Sequence, residues 1–263
     1  MLNVIALFSL GLILGSFVNA LVWRTHKKKG ILKGRSQCVH CGHQLAAADL
    51  VPVLSWLTLR GHCRYCKKPI SVQYPLVELS AAAVFALSYV LWPVDLAGGQ
   101  WVLFATWLAI SVGLLALAVY DLRFMLLPNK ILYWTAVVAA TGRLVYILGF
   151  EPDKLDAVVT WALSVAVAAG LFWLIYLVSV GKAIGFGDVR LGLISGTVLA
   201  DPLLSLLMIF GASVLGTFFV LPGLVSKRRS IISKVPYGPF LIASTFIILL
   251  FGERLSDWYQ SLL

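Results

Sequence analysis

Long uninterrupted apolar runs organise this chain, with little of the alternation or three-to-four-residue rhythm that marks half-buried strands and surface helices. The first run extends roughly from Asn3 to Trp23. Others lie near 75–92, 101–119, 131–148, 157–180, 203–222 and 237–252, with a short one at 190–200 that stops at the turn signal Asp201-Pro202. The pattern predicts an all-α polytopic membrane protein with about eight transmembrane helices. No basic residue precedes the first run and no small-residue cleavage site follows it, so we expect a retained span rather than a removed signal peptide.

Composition agrees: 60% of the 263 residues are hydrophobic, 12% are charged, and the mean hydropathy is +0.94. The bilayer is the expected solvent. Basic residues collect in alternate connections, as they do where loops face the cytoplasm. The segment 24–74 holds Arg24, Lys27, Lys28, Lys29, Lys33, Arg35, Arg60, Arg64, Lys67 and Lys68 against the single acid Asp49. The third connection has Arg123 and Lys130, the fifth Lys182 and Arg190, and the seventh Lys227, Arg228, Arg229 and Lys234. Intervening connections carry Asp95, then Glu151, Asp153 and Asp156 against Lys154, then Asp201. Both termini are therefore expected outside. The expected organisation is a first transmembrane helix (1–23), a cytoplasmic loop domain (24–74) and a transmembrane core (75–263). Topology and attraction to anionic membrane lipids account for the net charge of +10, so no nucleic-acid partner is expected.

All four cysteines fall in the long loop, as Cys38-Val-His-Cys41 and Cys63-Arg-Tyr-Cys66. Two CxxC pairs at this separation predict a tetrahedral zinc site, each pair forming a tight knuckle that aims two thiolates at one ion. Four thiolates leave no open coordination position, which favours a structural Zn2+. A loop of some fifty polar and basic residues has little else to fold around. Two disulfides are disfavoured in a reducing cytoplasm, and redox-active pairs usually accompany a thioredoxin-like pattern that is absent. His40, His43 and His62 flank the knuckles, as alternative ligands or as exposed loop residues.

Acids at span edges are costly and mark candidate sites. Asp121 closes the third span, and Asp188 opens the sixth within Gly185-Phe-Gly187-Asp188. The expected topology puts both on the cytoplasmic side. Two carboxyls brought together share a proton, so one can take a proton from water while the other donates to a developing oxyanion. Gly185 and Gly187 would let backbone approach an extended substrate and provide a hinge. On these residues alone the alternatives stay open: Asp188 as a helix cap and Asp121 as a solvated helix-end acid.

The chain resembles the type IV prepilin leader peptidases, GxGD aspartic proteases of bacterial cytoplasmic membranes. The resemblance rests on Gly185-Phe-Gly-Asp188 together with Gly11-Leu-Ile-Leu-Gly15-Ser-Phe-Val-Asn19, whose GxxxG spacing alone reads as helix packing. It extends through Pro52-Val-Leu-Ser-Trp56, Ile70-Ser-Val-Gln-Tyr-Pro75-Leu-Val-Glu78 and Pro236-Tyr-Gly-Pro239. Asp121 and Asp188 fall where the family keeps its aspartates. Asn129 stands where many members have Asp, and Arg190 where Lys is common. The resemblance implies cleavage of a short basic leader from prepilins and pseudopilins at the cytoplasmic face of the inner membrane. For members with the cysteine loop, it also implies methylation of the new amino terminus from S-adenosylmethionine, although no glycine-rich loop in the sequence supports that independently. Glu78 is a candidate contact for the substrate's basic leader, or else a helix-terminal acid paired with Lys or Arg.

An ion- or proton-coupled transporter would also use intramembrane acids, but it leaves the cysteine loop unexplained and predicts two similar halves that are not visible. A non-catalytic assembly factor would have no need of both aspartates.

Overall fold

The computed structural model describes residues 1–30, 34–225 and 235–260. Lys33, Lys227, Arg228, Arg229 and Lys234 lie outside the described residues. Among the described residues the structure is helical: α1 (Leu2–His26), α2 (Leu54–Thr58), α3 (Gln73–Val90), α4 (Gln100–Phe124), α5 (Asn129–Phe150), α6 (Lys154–Ser179), α7 (Phe186–Leu199), α8 (Pro202–Val225) and α9 (Gly238–Gln260). All but α2 answer to the eight apolar runs. Five of them, α1, α4, α5, α6 and α8 (over Pro202–Gly223), are long and apolar enough to cross a membrane. The chain is a multi-pass membrane protein. Helix α4 runs past the apolar stretch to Phe124, so Asp121 lies within its last turn rather than after it.

The chain divides into two compact units, Met1–Val90 and Leu91–Leu263. In the first, α1 lies against α3 with almost no side chain between the backbones. A Cβ added at Gly11 would stand 2.6 Å from the Ala82 Cα, and one at Gly15 would stand 2.6 Å from the Glu78 Cα. Small residues four apart thus bring two backbones together, which replaces the hydrophobic drive that lipid cannot supply. One turn further along, Asn19 Nδ2 donates to the Tyr74 carbonyl at 3.1 Å.

In the second unit α4 packs on α5 and α9, while α7 lies among α5, α6, α8 and α9. Helix α7 repeats the small-residue device: a Cβ at Gly192 or Gly196 would come within 2.7 or 2.9 Å of α6 backbone oxygens. Hydroxyls join the helices where apolar side chains cannot. Ser164 Oγ on α6 lies 2.8 Å from the Gly196 carbonyl and 2.9 Å from Ser205 Oγ on α8. Thr245 Oγ1 on α9 donates to Ser195 Oγ on α7 at 2.9 Å. Fully buried polar groups in such a bundle need partners of this kind. Helix α7, only 14 residues long, ends at Ala200, which adopts the left-handed conformation (φ 50°) with its N–H on the Gly196 carbonyl.

Candidate active site and metal centre

Three segments of the second unit converge around Leu127: the end of α4 with the link to α5, the start of α7, and the start of α9. A Cβ at Gly187 would lie 3.0 Å from Leu127 Cδ1, and one at Gly238 would lie 3.7 Å from Leu127 Cδ2. Asp121 is only 6% exposed, and its carboxylate accepts the backbone N–H of Gly238. The approach is close enough that a Cβ on Gly238 would stand 2.7 Å from Asp121 Oδ2.

Asp188 occupies the third position of α7. Gly185, the residue before the helix, has no side chain to cap it. The Asp188 carboxylate instead reaches back to the Gly185 N–H, while the Asp188 N–H donates to the Gly185 carbonyl at 3.1 Å. This is the return half of a capping box, and an acid here also meets the positive end of the helix dipole. The capping alternative is therefore partly realised, in a residue that also sits close enough to Asp121 to feel its charge. Gly185 and Gly187 flank this acid; Gly187 is confined by Leu127, and Gly185 has only the Asp188 carboxylate near it.

Sequence reasoning missed the part played by Pro236-Tyr237-Gly238-Pro239. Gly238 donates to Asp121, and Tyr237 is near enough to Asp188 for the two to interact electrostatically. The Tyr237 ring packs edge-on to Phe172 at 5.8 Å, and its hydroxyl lies 3.4 Å from Ser213 Oγ. The segment entered the sequence reading only as part of the family resemblance; by itself a Gly between two prolines ahead of an apolar run reads as a turn and gives no hint of contact with Asp121.

The two departures from the family pattern are bonded to each other. Arg190 Nη1 donates to Asn129 Oδ1 at 2.5 Å, and its guanidinium lies over the rings of Phe186 (4.7 Å) and Tyr133 (5.6 Å). The cation thus ties the start of α7 to the start of α5 without a carboxylate.

In the first unit Glu78 is 6% exposed and, among the described residues, pairs with neither Lys nor Arg. Its Oε2 accepts the Val53 N–H at 2.7 Å, and the carboxylate also takes the Ser16 hydroxyl.

The four cysteines form two matching knuckles. Cys38 N–H donates to the His43 carbonyl at 3.0 Å and Gly42 N–H to the Cys38 carbonyl at 3.0 Å. Cys63 N–H donates to the Lys68 carbonyl and Lys67 N–H to the Cys63 carbonyl, both at 2.9 Å. All four Sγ atoms lie within 4.8 Å of one another, and those of Cys38 and Cys66 are 3.9 Å apart. A tetrahedral ion with sulfur ligands at 2.3 Å separates its sulfurs by about 3.8 Å, so the set fits one ion. Burial pushes the Cys38 thiol up, but the amides of Cys41 and His40 together with the Cys63 and Cys41 thiols outweigh it and leave it at about 7. Although the Lys68 amide lowers it, burial and the neighbouring sulfurs push Cys66 up to about 11, so the thiols titrate as a set and the fit to an ion rests on their spacing. The histidines are not in the cluster: His43 packs on Tyr65 with ring centres 3.7 Å apart, and His62 Nδ1 lies 2.7 Å from the Arg60 carbonyl. Asp49 braces the second knuckle from outside by accepting from Arg64 Nε (2.7 Å) and the Tyr65 hydroxyl (3.0 Å).

Comparison with known proteins adds a second kind of observation. Residues 9–92 match the Bacterial Peptidase A24 N-terminal domain, and residues 103–221 match the Type IV leader peptidase family. The chain belongs to the type IV leader peptidase family. Among its relatives, a Prepilin leader peptidase/N-methyltransferase of Aeromonas hydrophila is 36% identical over 226 residues, covering 86% of this chain and 74% of the relative. A protein of the same name from Bacillus subtilis is 32% identical over 257 residues, 96% of each chain. A Type 4 prepilin-like proteins leader peptide-processing enzyme of Escherichia coli is 32% identical over 270 residues, covering 92% of this chain and 93% of the relative. No solved structure matches the chain. Within this peptidase family the convergence of Asp121, Asp188 and Gly238 becomes a candidate proteolytic centre, and nothing in the comparisons favours a transporter.

Proposed function

We propose that this protein is an aspartic endopeptidase that removes the leader from type IV prepilins and pseudopilins, with Asp121 and Asp188 as its catalytic pair. The observation that carries the reading is their convergence: two acids from α4 and α7, one of them 6% exposed, lie within electrostatic reach beside an ordered glycine N–H. In the proposed cycle the ionised carboxyl takes a proton from a water as that water attacks the scissile carbonyl. The protonated partner donates to the carbonyl oxygen. Gly238 holds Asp121 in one orientation, so the pair is set before substrate arrives. The cluster of basic residues and the relatives' names support a site at the cytoplasmic face of the inner membrane, with both termini outside.

The cysteine cluster would hold Zn2+ through Cys38, Cys41, Cys63 and Cys66. The ion would supply folding energy to the loop rather than reactivity, because four thiolates fill its coordination. The relatives' names, and the cysteine-bearing domain, also support methylation of the new amino terminus with S-adenosylmethionine as donor. Labelled methyl donor and processed pilin test that step; no incorporation by a chain that still cleaves would remove it.

The peptidase reading is tested by co-expression with a prepilin and a gel shift of the processed product. Wild-type protein is expected to cleave, while Asp121→Asn and Asp188→Asn are expected to insert normally and cleave nothing detectable. Processing at the wild-type rate by either variant would return that residue to the status of a helix-end acid.

A further inference from the structure

Val53 has φ 61° and ψ −50°, and the Leu54 N–H donates to the Pro52 carbonyl at 2.6 Å across it. This is a γ-turn, a strained conformation for a β-branched residue, and it persists only where surroundings fix it. What fixes it is Glu78: the Val53 N–H reaches Glu78 Oε2 at 2.7 Å, and the same carboxylate takes the Ser16 hydroxyl. Both acceptor and hydroxyl are well inside their helices. Glu78 is five residues from the start of α3, about 7–8 Å along it, and Ser16 is eight residues inward of Arg24 on α1, about 12 Å. The turn at Val53 is thus held alongside the two helices, inward of the ends that join them to the loop.

At that depth the loop shows an apolar face. Trp56 turns inward: its indole N–H donates to the Ile70 carbonyl at 3.1 Å, and its ring blocks the Cβ position of Gly61 at 3.0 Å. Leu54 and Leu57, three residues apart on the same side of α2, turn outward and are 60% and 56% exposed. Leu50 and Val51 just before them are 39% and 42% exposed. The same loop carries the exposed cations Arg60, Lys67 and Lys68 and a strong excess of positive charge.

We infer that Leu50–Leu57 is an interfacial anchor whose apolar side chains sit at the headgroup–acyl boundary of an anionic bilayer while the loop's cations face lipid phosphates. Apolar groups against acyl chain and Lys or Arg against anionic headgroups are the two components of monotopic membrane attachment. The inference also gives the buried acid a purpose. Irregular backbone at membrane depth must be satisfied by protein, and Glu78 satisfies the Val53 N–H that lipid would leave bare.

The test places a nitroxide on the full-length protein in anionic nanodiscs, through a ketone-bearing amino acid so that the four thiols are not labelled. Single labels replace Leu54, Leu57 or Lys67, and collision with oxygen is compared with collision with a water-soluble nickel chelate. Labels at Leu54 and Leu57 are expected to favour oxygen several-fold more than the label at Lys67, and to sit less deeply in zwitterionic discs. Nickel access equal to that at Lys67 would overturn the anchor. So would shielding from both reagents, which would mean that protein covers this face. Depth unchanged between the two lipids would overturn the role of charge. The readout is lipid contact, so none of these results bears on proteolysis.

Discussion

At Gly238 a single hydrogen separates the ordered carboxylate of Asp121, one of the proposed pair, from a clash. A methyl group there would stand 2.7 Å from Asp121 Oδ2 and displace either the acid or the start of α9. Gly238→Ala is therefore expected to lower kcat for leader cleavage by on the order of 100-fold, the effect of misplacing a reacting group by about an ångström. Circular dichroism and expression of the variant should match wild type. A second residue-level asymmetry lies in the knuckles. Gly42 takes φ 71° in the first, while Lys67 takes φ 58° at the matching place in the second. Side chains disfavour that region by about 1 kcal/mol, so Lys67→Gly is expected to slow metal loss to a competing chelator. Faster loss would show that the lysine side chain contributes more than its backbone strain costs. The cysteine cluster was legible in its CxxC spacing, and Asp121 and Asp188 as acids at span edges, because spacing and span edges are local properties. Gly238 was not, since its importance comes from a residue on another helix. Glu78 was legible as an unusual acid but not in its partner, because the Val53 amide carries no sequence signal of its own.

Helix–helix contact here depends on missing side chains. Gly15→Leu would drive a side chain into the Glu78 backbone, which cannot rotate aside, and overpacking of this kind costs about 1–3 kcal/mol. The purified variant should melt several degrees lower, and the thermal scan should show the loss in the first unit. Gly149, on α5, has no atom within 4 Å of its Cβ position. Gly149→Ala is expected to leave the melting temperature unchanged or to raise it, because alanine is favoured over glycine in a helix by about 1 kcal/mol. At this scale the sequence was informative about where helices run and less so about where they stop. The third run stops being apolar before its helix ends at Phe124, because Tyr120, Asp121 and Arg123 continue the helical backbone with polar side chains. The GxxxG of α1 was readable as a contact face, and Gly192-Leu-Ile-Ser-Gly196 on α7 carries the same signal in a run too short to stand out as a full span.

For the whole molecule, the proposed metal site and the proposed catalytic pair fall in different units of the chain. The cysteine cluster belongs to Met1–Val90, and Asp121, Asp188 and Gly238 belong to Leu91–Leu263. Removal of the metal by a strong chelator is expected to release hydrogen-exchange protection across residues 34–70 and to leave α4 to α9 protected. Loss of protection in both units together would show that the ion stabilises the entire chain. Helix α7 connects the ends of the second unit in another way. Its first turn carries Asp188, and its far end is fastened through the Gly196 carbonyl to Ser164, with Gly192 and Gly196 seated on α6. It behaves as a strut of about 21 Å pinned at its distal tip, which resists sliding along its own axis. The pin opposes axial sliding of Asp188 past Asp121, and so helps to keep the proposed pair set before substrate arrives. Ser164→Ala would loosen that pin and is expected to slow leader cleavage in the gel-shift assay, acting from the end of α7 opposite Asp188.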